Sequence, residues 1–193
     1  MIDFLKDIDR IPETQIRKVQ INEPFIDLAS GFASTKGTVL LLSGGDLDCS
    51  RYHILGIKPW LSFTGRGLRQ NITICGKSRE FESDPFEALR VILDTYHTHQ
   101  PSAHLPLTSG LMGYLAYDLK DHIERLPRTS LDDLGLPHIC LFAPSVILIH
   151  DKKDASTWLC TCLPYAEDGD IISWLKTSCA EKRPALSGKR GIC

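Results

Sequence analysis

Apolar and polar residues alternate in short bursts through the first 82 positions, and each burst reads as a strand. The segments RKVQI (17–21), TVLLLS (38–43), RYHILGI (51–57), WLSFTG (60–65), NITIC (71–75) and REFE (79–82) share this rhythm. Pro59 falls between two of them and predicts a break in the ladder. One helical stretch interrupts the series. In EPFIDLASGF (23–32), Phe25, Leu28 and Phe32 recur near the helical period, Asn22 or an acidic neighbour is placed to cap, and Pro24 suits an early helical position. Gly31 and Gly37 predict that this helix is short. GGDLD (44–48) reads as a turn or loop.

The pattern then lengthens. Ser83 or Asp84 caps a firmer helix, Pro85 starts its first turn, and Phe86, Leu89, Leu93 and Tyr96 are predicted to share its inner side. Residues 97–106 have no period and contain two prolines, which predicts a loop. GLMGYLAY (110–117) reads as a strand, with Asp118 capping helical turns over DLKDHIERL. HICLFAPSVILIH (138–150) is one or two strands around Pro144. DKKD (151–154) is a hairpin turn, and STWLCTCL (156–163) is the returning strand. Residues 167–182 predict a terminal helix. Short strands with tight connections favour antiparallel pairing, and no regular βαβ series appears. The expected fold is α+β: paired, mainly antiparallel sheets, sandwich-like, with a few covering helices. Residues 1–182 are expected to form the domain and residues 183–193 a linker or flexible tail.

Composition bounds the possibilities. A chain of 193 residues can bury about 70% of its unfolded surface and needs no staple to hold a core. It carries 22 basic and 24 acidic residues, which argues against a broad nucleic-acid footprint. Its seven cysteines are odd in number and follow no secretory signal, so reduced thiols in the cytoplasm are expected. No apolar run approaches the ~20 residues of a membrane helix.

Local chemistry is sparse. GLMG lacks the spacing of a dinucleotide loop, and GGDLD lacks the lysine and serine of a phosphate loop. Gly110 and Gly113 are better read as places of close strand contact or a bulge. Tyr114 and Tyr117 would face opposite ways on a regular strand. His97, His99 and His104 are close in sequence, but nothing nearby completes a metal site, so exposed loop histidines are expected. Cys160 and Cys162 share a strand face without a second pair and are expected to be buried thiols. Asp118, Asp121 and Glu124, with a Lys120–Glu124 pair, read as a solvated helix face.

The order of motifs says more than any one of them. VLLLSGGDLDCSRYHILGIKP (39–59) resembles a segment of chorismate-using synthases in which a Leu-Leu-Glu-Ser strand is followed by Arg-Tyr-Ser and a short strand ending in proline. DPFEALRVIL (84–93) resembles the helix that follows there. LPLTSGLMGYLAYDLKDHIERLP (105–127) resembles a stretch with Phe-x-Gly-Gly, Gly-Tyr, Tyr-Asp and Glu-x-Leu-Pro, and residues 132–151 resemble its continuation. The families concerned are anthranilate synthase component I and aminodeoxychorismate synthase component I, and the resemblance covers residues 15–175. Leu42 stands where the motif has glutamate and His53 where it has serine. Leu107 and Ser109 replace the phenylalanine and first glycine of Phe-x-Gly-Gly.

The resemblance implies a non-catalytic N-terminal domain. In those families a C-terminal chorismate-binding domain carries the magnesium-binding glutamates and acid–base residues, and a glutamine amidotransferase subunit supplies ammonia. This chain ends before such a domain would begin, so it is expected to scaffold, to hold no cofactor of its own and to lack chorismate chemistry alone. Magnesium is expected on the catalytic domain. The N-terminal domain of these enzymes helps to hold L-tryptophan. By motif position the expected ligand-binding residues are Ser43, Arg51, Tyr52 and Tyr114. A free-standing amino-acid-binding or regulatory domain without activity is the alternative, and an unrelated α+β domain a third. The anthranilate and aminodeoxychorismate branches remain open at this point.

Overall fold

The computed structural model describes residues 13–45, 49–96, 104–124 and 132–164, together with positions 166, 173 and 175. The expected tail over residues 183–193, most of the terminal helix, His97 and His99 lie outside the described residues.

Among the described residues, eight strands and two complete α-helices form in the order β1 (Glu13–Val19), α1 (Phe25–Ser30), β2 (Val39–Leu41), β3 (Tyr52–Arg66), β4 (Arg69–Ile74), β5 (Lys77–Glu82), α2 (Pro85–Thr95), β6 (Met112–Leu115), β7 (Ile139–Asp151) and β8 (Ser156–Leu163). Every pairing is antiparallel. The expected α+β class with mainly antiparallel sheets therefore holds. The two sheets are halves of one, because β3 and β7 run through both. In one half the order is β1-β8-β7-β3-β2. In the other it is β6-β7-β3-β4-β5.

The break expected at Pro59 is absent, and of the one or two strands expected around Pro144 the structure has one. Residues 51–57 and 60–65 belong to a single strand, and Pro144 does not divide β7. Pro59 pairs with Pro144, and the register shifts between Pro59 and Leu61. A proline cannot donate to a ladder, so it is tolerated at such an irregularity. Lys58, with φ of 52°, and the bond from the Ser145 hydroxyl to the Lys58 carbonyl at 2.7 Å shape the bend.

Alternation on the long strands fills two faces. Leu55, Ile57, Val146, Leu148 and Leu159 pack against Phe25, Leu28, Ala29 and Phe32 on and just after α1, all but excluded from water. Opposite them, Ile54, Ile147, Ile149, Cys160 and Met112 form a second cluster, bordered by Leu105 and Leu107. Beyond the bend, Leu61, Phe63, Ile72, Ile74 and Leu141 meet Ala88 and Ile92 of α2. Each such aliphatic side chain contributes about 1.5–3 kcal/mol when fully buried.

Several local expectations are corrected. The inner face of α2 is Pro85, Ala88 and Ile92, with Phe86, Leu89 and Tyr96 packed at its border, while Leu93 is exposed. The small Ala88 side chain permits the closest approach, so the helix turns that side inward. Asp84 caps it as expected, accepting from the Phe86 and Glu87 amides at 2.9 and 3.1 Å. The cap of α1 is Pro24, without a side-chain bond, in place of Asn22 or an acidic residue. Residues 110–117 yield only the four-residue β6. After it, Tyr117–His122 is a 3₁₀ helix whose cap is Ala116, with Asp118 inside the first turn. Three residues per turn remove the i,i+4 stacking. Lys120 accordingly pairs with Asp121 at 2.7 Å.

Gly113 marks the close strand contact expected of it. A Cβ there would lie 2.0 Å from the Cys140 carbonyl oxygen, so β6 can approach β7 only with glycine at this position.

Candidate functional site

Ser43, Arg51 and Tyr52 meet at one corner of the first half-sheet. Chain leaving β2 passes Ser43, and chain entering β3 passes Arg51. The Ser43 hydroxyl donates to the Tyr52 carbonyl at 2.7 Å, and the Ser43 amide donates to His53 Nδ1 at 3.2 Å. These bonds extend the contact between β2 and β3 beyond Leu41↔Ile54, the last paired rung.

Arg51 faces Asp151. Its Nε lies 3.0 Å from both carboxylate oxygens and its Nη2 donates to Oδ2 at 2.6 Å. The Asp151 side chain is 6% exposed and that of Arg51 43%. The guanidinium thus covers the carboxylate and keeps an open outer side, stacked over the Tyr52 ring at 4.8 Å. The hydrogen bonds from Arg51, helped by the Lys153 amide, hold the Asp151 carboxyl below its ordinary range against the opposing effect of burial.

Lys152 closes the corner. Its ammonium donates to the Ser43 and Gly45 carbonyls, each at 3.3 Å, and to the Ser50 hydroxyl at 3.2 Å. On the neighbouring face Phe25, His53 and His150 stack, with centroids 5.7 to 6.2 Å apart and planes within 22°. His150 Nδ1 lies 3.0 Å from the Thr157 hydroxyl. Burial, then the charges of Lys152 and His150, push the His53 imidazole below its ordinary range. The Tyr52 hydroxyl donates to the His104 carbonyl at 3.4 Å, which ties the 104–111 segment to the corner.

Tyr114 is elsewhere. It pairs with Cys140, whereas Tyr52 pairs with Asp151. The eleven residue steps along β7 between those rungs span roughly 35 Å of strand. The structure therefore gathers three of the four expected residues and sets the fourth apart. His53 was noted only as a departure from the motif, and the neighbours His150, Asp151 and Lys152 were not singled out as site residues. Their only signal was the DKKD turn, which places Asp151 and Lys152 at the end of β7 without saying what they meet.

The corner combines charged and apolar groups. It offers a carboxylate-seeking guanidinium, a ring of oxygens suited to an ammonium group, and Leu41 and Leu42 exposed beside them. Among the described residues no group of three or more His, Cys, Asp or Glu could hold a metal ion. Cys160 and Cys162 are buried thiols, as expected, and His104 is exposed. An open groove of about 560 Å³ at the other end, lined by Arg66, Arg69, Glu80 and Glu82 among others, contains none of the four expected residues. No helix among the described residues is long and apolar enough to cross a membrane.

Comparison with known proteins agrees with the motif order. No family model matches the chain. It is 32% identical over 155 residues to anthranilate synthase component 1 of Acetivibrio thermocellus, covering 76% of this chain and 30% of that protein. It is 33% identical over 115 residues to anthranilate synthase component 1 of Cereibacter sphaeroides, covering 57% of this chain and 23% of that protein. The crystal structure of anthranilate synthase component I from Streptococcus pneumoniae shares the fold, with a TM-score of 0.52 and 20% identity over 82% of this chain and 34% of that one. The chain therefore corresponds to a part of such proteins, spanning less than a third of the two curated relatives.

Proposed function

We propose that this chain, a relative of anthranilate synthase component 1 over part of its length, is the N-terminal, non-catalytic domain of a chorismate-aminating synthase in the tryptophan pathway. In this reading it scaffolds the enzyme, and the Ser43–Arg51–Tyr52 corner holds a free amino acid, L-tryptophan foremost. The chorismate-binding domain with its magnesium, the amidotransferase subunit that supplies ammonia, and a cytoplasmic setting complete the proposal.

One observation carries the binding role: Ser43, Arg51 and Tyr52 converge at a single corner in a chain with this relationship. A ligand carboxylate would meet the outer side of Arg51. A ligand ammonium would compete with Lys152 for the Ser43 and Gly45 carbonyls. The indole would lie on Tyr52, Leu41 and Leu42. Tyr114 has no part in this corner, and in the same reading it contacts ligand or partner only through another surface.

Isothermal titration of the folded chain with L-tryptophan, and with L-phenylalanine as control, tests this. Saturable heat for tryptophan at one site is expected, with affinity lost by about tenfold or more in Ser43→Ala and Tyr52→Ala. Absence of heat from protein shown by circular dichroism to be folded would overturn the binding role.

A further inference from the structure

We propose that His53 is a proton-operated latch: its neutral ring fastens the Ser43 segment to β3, and its protonated ring releases it. Nδ1 of His53 accepts the Ser43 amide at 3.2 Å, so the neutral ring carries its proton on Nε2. Protonation puts a second donor on Nδ1, facing the amide, and the bond is lost. The new charge also stands in the same corner as the Lys152 ammonium, which holds the Ser43 carbonyl from the other side. One proton thus weakens two of the three fastenings of Ser43 at once and leaves its hydroxyl bond to the Tyr52 carbonyl as the hinge.

The surroundings favour the closed state. β7 presents His150 and the turn after it Lys152, α1 presents the Phe25 ring, and the Ser43 segment presents its amide. Asp27, the acidic residue of α1, is exposed and two residues from Phe25, hence turned away. Asp151 is occupied by Arg51. Among the described residues, the charges that act on the His53 ring come from Lys152 and His150, and none from a carboxylate. Stacking between Phe25 and His150 holds the ring in place.

The test is a nitrogen–proton NMR titration of the full chain from pH 8 to 5, following the Ser43 amide and the His53 ring. Both are expected to move with one midpoint, below the ordinary histidine value of about 6.5. In His53→Asn the Ser43 amide should stay flat, because the Asn carbonyl accepts without titrating. In His150→Phe, which keeps the stack and removes a neighbouring charge, both midpoints should rise together. A Ser43 amide that ignores the His53 titration, or that titrates unchanged in His53→Asn, overturns the latch. A second arm rests on the amino-acid reading of the corner. Tryptophan affinity should fall by at most about tenfold per pH unit below the midpoint, and not at all in His53→Asn. If tryptophan fails to bind at any pH, that reading fails while the amide titration still decides the latch.

Discussion

Pro59 sits opposite Pro144 in the β3–β7 ladder, at the one rung where neither residue has an amide to donate. Ile57↔Val146 and Pro59↔Pro144 share a register, and Leu61↔Ala143 lies one residue out of it, so Trp60 is the extra residue of a bulge. The ladder bends where it has least to lose, and the bend joins the two half-sheets. Gly56 lies beneath the Pro144 ring: an added Cβ would be 2.6 Å from its Cγ and 2.7 Å from Met112 Sδ. Methionine can yield, but the proline ring is held by the strand. Gly56→Val is expected to cost about 1–3 kcal/mol by overpacking, read as a lower urea midpoint. Gly44→Ala, in open space, should change stability by less than about 0.5 kcal/mol.

Leu148 and Leu41 are one residue type in opposite settings. Leu148 is fully buried between β3, β8 and the cluster around α1, and Leu41 is 47% exposed on β2. Leu148→Ala is expected to destabilise by about 2–5 kcal/mol and Leu41→Ala by less than about 0.5 kcal/mol. Equal midpoints for the two variants would contradict the assignment of faces.

The Arg51–Asp151 pair sets an acid limit. The folded state holds the Asp151 carboxyl below its ordinary value, chiefly through the Arg51 hydrogen bonds. That contribution is complete above the ordinary carboxylate value and fades as pH falls through the lowered one, because the unfolded chain then binds the proton more readily. Stability should decline below about pH 4, and Asp151→Asn should flatten this limb. Denaturation midpoints between pH 2.5 and 6 measure it.

His53 titrates in a different window. Its folded value lies below the ordinary one, so its contribution is complete above about pH 6.5 and is lost as pH falls through the lowered value. His53→Asn should remove the step between that region and the Asp151 limb in the same measurements.

Thiol reactivity should follow burial. Burial pushes the Cys160 and Cys162 thiols up to about 11 and 12. Cys49 and Cys75 are exposed. Alkylation of native protein at pH 8, mapped by mass spectrometry, should modify Cys49 and Cys75 well before Cys160 and Cys162. Prompt labelling of Cys160 would mean that β8 is not packed as described.

Much of this fold is local in origin and was legible along the chain. Period-two alternation marked the strands, and an Asp–Pro pair announced α2 at Asp84, because a cap or a pleat needs only a few neighbouring residues. Motif order pointed to Ser43, Arg51 and Tyr52. What lay beyond that reach depends on partners far away in sequence. Pro59 looked like a stop until Pro144 faced it. Leu93 looked like core until Ala88 offered a closer approach. Tyr114 was expected among the site residues with Ser43, Arg51 and Tyr52, and pairing with Cys140 sets it apart from them along β7. Arg51 meets Asp151 across 100 residues, and nothing within a few positions of either one predicts the contact. A strand's register and the choice of buried face are settled only when distant segments pack, so the occupants of the corner were decided by tertiary structure.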